Sequence, residues 1–125
     1  MYEQDYIMRL IKEMIKFIAK IFFHKDEISY ELSNEDEYSQ TDYLYKELLV
    51  LIELGKINEA ENLLFEKLDE NNNKYIELVL DFYNRLNNLD DDFLEENNFS
   101  REEIAEGLKD MAKEFGLQNN FPFLE

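Results

Sequence analysis

The sequence predicts an all-α fold, a small bundle of about five helices in a single domain, residues 1–125. Only three Gly and one Pro occur in the chain, so few positions favour tight turns. Apolar residues recur at three- and four-residue intervals, which is the helical period. Ten Phe and eight Tyr within a hydrophobic content of 45% supply a core for a domain of this length.

The first predicted element is an amphipathic helix within residues 1–25, running from Asp5 to Phe23. At about 100° per residue, its charged side chains share an arc of about 100° and its apolar ones cover roughly 200°. A helix with one neighbour needs an apolar stripe of about 100°. We therefore expect cover on two sides, from the chain itself, a second subunit, a partner or lipid. The candidate interface residues are Ile7, Ile11, Met14, Ile15, Ile18, Ile21 and Phe22.

Residues 26–40 are predicted to form a mobile acidic linker. Six carboxylates repel one another in this stretch, and no helical apolar stripe runs through it. Ile28, Tyr30 and Leu32 are its candidate contacts with the rest of the chain.

The helical body, residues 41–116, is predicted to begin with an antiparallel hairpin. Its first helix runs from Thr41 to Leu54 and ends at Gly55. Asn58 is the expected N-cap of the next helix, with Glu61 completing a capping box. So short a connection places the two helices side by side.

The remaining elements follow from apolar runs and end signals. A broadly apolar helix from Lys74 to Leu86 is expected to be the most buried, and one helical turn follows near Phe93. The last helix is expected to begin after Ser100, with Glu103 closing a capping box, and to end at Gly116. The tail, residues 117–125, carries three apolar side chains expected to dock onto the domain: Phe121, Phe123 and Leu124.

Charge and cysteine content restrict the partners and the compartment. The net charge is −17, with +2 on residues 1–25 and −19 on the rest, so we expect no nucleic-acid partner. The chain has no cysteine, and charged residues interrupt its first apolar run. We therefore expect a cytoplasmic protein with no disulfide, secretory signal or transmembrane span.

The sequence predicts no catalytic residue, no cofactor and no metal ligand, and therefore no enzyme. The three glycines stand apart, so no phosphate-binding loop is present. His24 is the only histidine and follows Ile21 by three positions, which removes the Glu-x-x-His pairs of di-iron bundles. It is interpreted as a favourable charge at a helix end. Acidic stretches starting at Asp69 and Asp90 lack the glycine and the final glutamate of a calcium loop.

Two resemblances accompany these patterns. The segment 54–60, Leu-Gly-Lys-Ile-Asn-Glu-Ala, resembles a single tetratricopeptide-type hairpin, with glycine between the helices and alanine five residues later. Residues 3–14, Glu-Gln-Asp-Tyr-Ile-Met-Arg-Leu-Ile-Lys-Glu-Met, resemble the opening of an uncharacterised family of small acidic helical proteins from Gram-positive bacteria. The second resemblance implies a free-standing bacterial protein and assigns no active residues.

The expected function is a non-enzymatic protein–protein interaction module that forms a homodimer, or binds a protein partner, through the first helix. Three alternatives stay open. In one of them, the first helix is the central helix of a monomeric bundle. In another, Arg9, Lys12, Lys16 and Lys20 form the basic face of a membrane-surface helix. In the third, the acidic body binds a basic partner.

Overall fold

This computed structural model describes residues 2–117, with side chains from residue 4 onward. These residues form six α-helices joined by loops, and they contain no strand. The predicted all-α class is confirmed. The helices are α1 (Tyr2–Phe23), α2 (Gln40–Glu53), α3 (Ile57–Glu66), α4 (Asn73–Asn87), α5 (Asp91–Glu96) and α6 (Arg101–Glu114). A short 3₁₀ turn, Glu35–Glu37, precedes α2. No helix within the described range is long and apolar enough to cross a membrane.

Helix α1 packs against both α4 and α6, which together cover its wide apolar arc. The ring centroids of Phe22 on α1 and Phe115, just after α6, lie 6.0 Å apart, edge to face. At the other end of α1, Asn87 Nδ2 of α4 donates to the Met8 carbonyl at 3.0 Å. The expectation that α1 is covered on two sides is therefore confirmed, and the cover comes from the same chain.

Helix α4 occupies the middle of the bundle because it contacts α1, α2 and α6. Ten of its 15 residues are buried, so apolar side chains occur almost all round it. Each fully buried Leu or Phe stabilises the fold by about 1.5–3 kcal/mol relative to an exposed one. These three contacts make α4 the element on which the other helices are arranged.

Local signals set the ends of α2 and α6. The hydroxyls of Ser39 and Ser100 each accept a hydrogen bond from the backbone N–H of the third helical residue, Asp42 or Glu103, whose carboxylate accepts one from the backbone N–H of the serine. Gly55 and Gly116 follow the two helices with φ of +79° and +85°. Backbone bonds of 2.8 Å and 2.9 Å then close the Schellman pattern, which the sequence predicts for Gly116.

The predicted start of the third helix is wrong. Helix α3 begins at Ile57 after Lys56, which makes no side-chain cap, and Asn58 is an exposed residue within the first turn. Ile57 is fully buried, and its place in the core accounts for a helix that starts before the predicted cap Asn58. Glu61 does not close a capping box, because its carboxylate accepts a hydrogen bond from the Tyr83 hydroxyl at 2.7 Å.

Candidate interaction surface

The predicted interface on α1 lies largely inside this chain's own core. Four of its seven residues are at most 6% exposed: Ile11, Met14, Ile15 and Ile18. Ile7 and Phe22 are partly buried against the core, and Ile21 is 41% exposed. Burial under α4 and α6 accounts for their apolar character without a second subunit. Self-association through α1 stays a prediction, and the predicted tail contacts Phe121, Phe123 and Leu124 lie outside the described residues.

The basic face of α1 is exposed, as a membrane-surface helix requires. Arg9, Lys12, Lys16 and Lys20 all point away from the core. Lys20 forms an ion pair with Asp26 at 3.0 Å. The apolar face that would enter the lipid is, however, the one covered by α4 and α6. The fold therefore separates the basic face from the apolar surface that would anchor it.

An exposed apolar stripe runs along the outward face of α2. Six large hydrophobic side chains are exposed in the described part of the chain, and three of them belong to α2 and its C-cap. Tyr43, Val50 and Leu54 are 61%, 54% and 63% exposed. At about 100° per residue they fall within an arc of about 40°. Their spacing of seven and then four residues is that of a coiled-coil seam whose remaining position is the exposed Glu47.

Charged and aromatic groups flank this α2 stripe. Lys46 Nζ lies 5.2 Å from the ring centroid of Tyr38, and the Tyr38 and Tyr43 rings meet edge to face at 5.3 Å. On the same side of the stripe, Glu53 and Val50 line an open groove of about 770 Å³ between α2 and α4. Neither Lys46 nor Glu53 forms an ion pair with any described residue. The stripe is thus bordered on one side by Lys46 and Glu53 and on the other by Glu47, which is exposed and lies about 20° from Leu54 around the helix.

A buried polar cluster fixes α2 against the segment that precedes it. Asp42 is fully buried and accepts hydrogen bonds from the Tyr30 hydroxyl at 2.7 Å and the Ser39 N–H at 2.9 Å. Lys74 Nζ of α4 lies 3.2 Å from the same carboxylate. Burial alone would raise the pKa of Asp42. The hydrogen bonds from these donors lower it by a larger amount, so the pKa of Asp42 lies below its usual value. Asp42 is therefore held as a carboxylate.

Asp81 of α4 extends this cluster. Its carboxylate accepts from the Tyr30 N–H at 2.8 Å, the Tyr45 hydroxyl at 3.2 Å and Arg85 Nε at 2.7 Å. Arg85 also donates to the Tyr45 hydroxyl at 2.7 Å. The predicted linker is thereby attached to the body at Tyr30, which is 6% exposed, whereas Leu32 is 41% exposed. The sequence names Tyr30 as a contact but gives no sign of its carboxylate partners.

A third carboxylate, that of Glu61, lies between α3, α4 and α6. Glu61 accepts from the Tyr83 hydroxyl, and burial raises the pKa of Glu61, with nearby Glu103 and Asp110 adding to the effect. Gly107 of α6 faces this pair, because a Cβ at that position would lie 2.6 Å from the Tyr83 hydroxyl. The glycine in the middle of α6 therefore makes room for the Glu61–Tyr83 hydrogen bond.

The model of DUF6483, a family of unknown function, matches residues 1–116. The chain belongs to the DUF6483 family. The match spans all six helices, so the predicted membership of an uncharacterised family is confirmed. No curated protein and no solved structure matches the chain.

Buried carboxylates of this DUF6483 member are engaged in hydrogen bonds and ion pairs in the described part of the chain. Among residues 4–117, no group of three or more His, Asp or Glu side chains is placed to hold a metal ion. His24 follows α1 with φ of 59°, at the helix end where the sequence places it. The carboxylates of Asp42, Asp81 and Glu61 all accept hydrogen bonds from neighbouring side chains. Among the described residues, the outward face of α2 holds three of the six exposed large hydrophobic side chains.

Proposed function

We propose that this protein is a non-enzymatic helical module that binds other proteins through the α2 stripe, defined by Tyr43, Val50 and Leu54. The observation that carries the proposal is the exposure of all three side chains on one line of one helix. Leaving a large apolar side chain in water forgoes about 1.5–3 kcal/mol of burial. Single exposed apolar residues are common, but three aligned at seam spacing form a surface suited to another helix.

The rigid support of α2 favours recognition rather than catalysis. The Asp42 carboxylate has donors from the preceding segment and from α4, which fixes the orientation of the helix. The Asp81 carboxylate is equally occupied by Tyr30, Tyr45 and Arg85. Carboxylates engaged in this way position other groups and are poor candidates for proton transfer to a substrate. A preorganised helix face loses less entropy on binding than a mobile one.

Two further observations support an interaction module. The α2–α3 hairpin carries the tetratricopeptide-like segment 54–60, which supports repeat-like helical packing. The 27 acidic and 8 basic residues from position 26 onward disfavour nucleic acid and anionic lipid as partners. These charges favour a protein surface over those two partner classes.

Site-specific photo-crosslinking in the producing cell tests the proposal. A photoreactive side chain at position 50 is expected to give a discrete covalent adduct. The same group at position 21 tests whether the protein also binds partners through α1, because Ile21 is the exposed member of the predicted α1 interface. The partner identified from the adduct is then purified and must bind the wild-type chain and not Val50→Lys. No adduct from positions 43, 50 or 54 would reject the proposal.

A further inference from the structure

We infer that residues 26–38 form a strap, a segment that opens away from α2 and α4 while the helical bundle stays folded. Tyr30 is the residue that holds the strap closed, and repulsion between Glu31 of the strap and Glu77 of α4 favours opening. Opening uncovers Tyr45 on the inward side of α2, so the strap controls access to a surface other than the α2 stripe.

The two ends of the strap are fixed by the neighbouring helices, whereas its middle is not. Before the strap, the Lys25 N–H donates to the Ala19 carbonyl of α1 at 3.5 Å, and after it Ser39 caps α2. Residues 26–33 form no backbone–backbone hydrogen bond with any described residue. The main chain of this stretch can therefore move away without breaking a helix or a ladder of backbone bonds.

Tyr30 is the anchor residue of the strap. It is 6% exposed, and no other residue of the strap is buried. Its N–H donates to Asp81 at 2.8 Å, its hydroxyl donates to Asp42 at 2.7 Å, and its ring centroid lies 4.5 Å from that of Tyr45. A segment with one buried side chain opens at a lower free energy than helices with many.

Weaker contacts support this anchor. Lys74 Nζ donates to the Ser33 hydroxyl at 2.8 Å, and Lys20 pairs with Asp26 at 3.0 Å on the surface. Ile28 is partly buried against the core. Exposed ion pairs add little to stability, so these contacts leave the strap dependent on Tyr30.

The helical body keeps both buried carboxylates paired when the strap opens. Asp42 retains the Ser39 N–H at 2.9 Å and Lys74 Nζ at 3.2 Å. Asp81 retains Arg85 Nε at 2.7 Å. Each carboxylate loses one donor of the strap and gains access to water, so opening leaves no buried charge unpaired. The body is therefore able to stay folded in the open state.

Like charges oppose closure of the strap. Residues 26–38 carry six acidic and no basic side chains. Burial raises the pKa of Glu77 on α4, and the charge of Glu31 raises it further, which places these two carboxylates within repelling distance. Lys74 and Lys25 act in the opposite direction on Glu77, and Asp81 adds a smaller repulsion. The closed strap thus holds one unfavourable pair that opening relieves.

Native-state hydrogen exchange of the full chain is the test. The Tyr30 amide reports opening of the strap, because its acceptor is a side chain of α4, and the Leu80 amide in the middle of α4 reports unfolding of the bundle. After correction for intrinsic rates, the Tyr30 amide is expected to exchange at least about 100-fold faster, with a weaker dependence on denaturant. Equal protection and equal denaturant dependence at the two amides overturn the inference.

Two variants separate strap opening from unfolding of the bundle. Ile104→Val removes a buried methylene from α6 and is expected to lower the protection of the Leu80 amide about fivefold, while that of the Tyr30 amide stays within about twofold. Equal losses at both amides mean that the strap opens only with the bundle, which overturns the inference. Tyr30→Phe is expected to lower protection at position 30 about tenfold, and no change there overturns the role of Tyr30.

Glu31→Gln tests the repulsion between the strap and α4. It is expected to raise the protection of the Tyr30 amide about threefold, because one charge of the repelling pair is removed. Glu27→Gln is the matched control, since it removes the same charge from another exposed strap position, and a change below about 1.5-fold is expected. In a Glu77→Gln background the effect of Glu31→Gln should disappear. An effect that persists in that background overturns the role of the Glu31–Glu77 pair.

Discussion

The Tyr30 hydroxyl donates to Asp42 Oδ1 at 2.7 Å, and this bond joins the segment after α1 to the first turn of α2. The Tyr30 N–H meets Asp81 of α4 at 2.8 Å, so one residue connects two helices that the chain reaches much later. The aromatic ring of Tyr30 also packs against Tyr45, with centroids 4.5 Å apart. Tyr30 is thus the attachment point of a segment rich in acidic residues.

Tyr30→Phe is expected to destabilise the fold by about 1–3 kcal/mol, because the buried Asp42 carboxylate loses one donor. The ring contacts remain, so the cost reports the hydroxyl alone. Denaturant unfolding gives the free energy, and hydrogen exchange of residues 26–39 shows whether local opening becomes easier. Tyr38→Phe is the matched control, since the Tyr38 hydroxyl has no partner among the described residues, and it is expected to change stability by less than about 0.5 kcal/mol.

The stability contributed by Asp42 depends on pH in a defined direction. The pKa of Asp42 is lower in the folded protein than its ordinary value of 3.8. The unfolded chain therefore binds more protons at low pH, and the contribution of this group, complete above about pH 5, is lost as the pH falls through the folded pKa. The free-energy difference between wild type and Asp42→Asn should accordingly be largest near neutrality and shrink below about pH 4.

Unfolding titrations of both proteins at several pH values measure this difference. Asp36→Asn removes an exposed carboxylate with no hydrogen bond to a described residue, and near pH 7 it is expected to change stability by less than about 0.5 kcal/mol. A difference between wild type and Asp42→Asn that grows on acidification would contradict the assignment of Asp42 as a buried, ionised group.

The glycine in the middle of α6 is expected to resist replacement. Gly107→Ala gains about 1 kcal/mol of helix propensity, but its Cβ would displace the Glu61–Tyr83 hydrogen bond. A hydrogen bond to a charged group contributes about 1.5–3 kcal/mol, so a net loss of about 0.5–2 kcal/mol is expected. In a Tyr83→Phe background that bond is already absent, and Gly107→Ala should cost less. Equal costs in the two backgrounds, measured by thermal unfolding, would contradict this coupling.

The contrast between α6 and α3 shows where sequence reasoning reaches its limit. Ser100 and Gly116 act on neighbouring residues, so the sequence predicts both ends of α6. The start of α3 depends on the burial of Ile57, which is a tertiary effect and overrides the nearby cap signal of Asn58. The breadth of the apolar arc on α1 predicts two covering surfaces but not that α4 and α6 supply them.

The candidate site was less accessible from sequence for related reasons. The helical spacing of apolar residues in α2 predicts which leucines face the core. It does not single out Tyr43, Val50 and Leu54, because they lie among polar residues on the opposite face. The pairing of Tyr30 with Asp81 joins residues 51 positions apart, and nothing in one sequence distinguishes Asp81 from the other carboxylates. Such pairings become visible only when the packing of helices is known.

Arg101 is expected to be the most costly single residue to replace at the start of α6. It is 2% exposed and donates to the carbonyls of Asn87 and Leu89, each at 2.7 Å, and to the Asp91 carboxylate at 2.8 Å. Lysine keeps the charge but lacks the planar fork that reaches all three acceptors, so Arg101→Lys should cost about 2–4 kcal/mol. Asp91→Asn is the matched control, because Asp91 has a 70% exposed side chain and its ion pair is worth less than about 1 kcal/mol. If denaturant unfolding gave the two variants equal losses, the ion pair, rather than the two carbonyl bonds, would hold the end of α4 to α6.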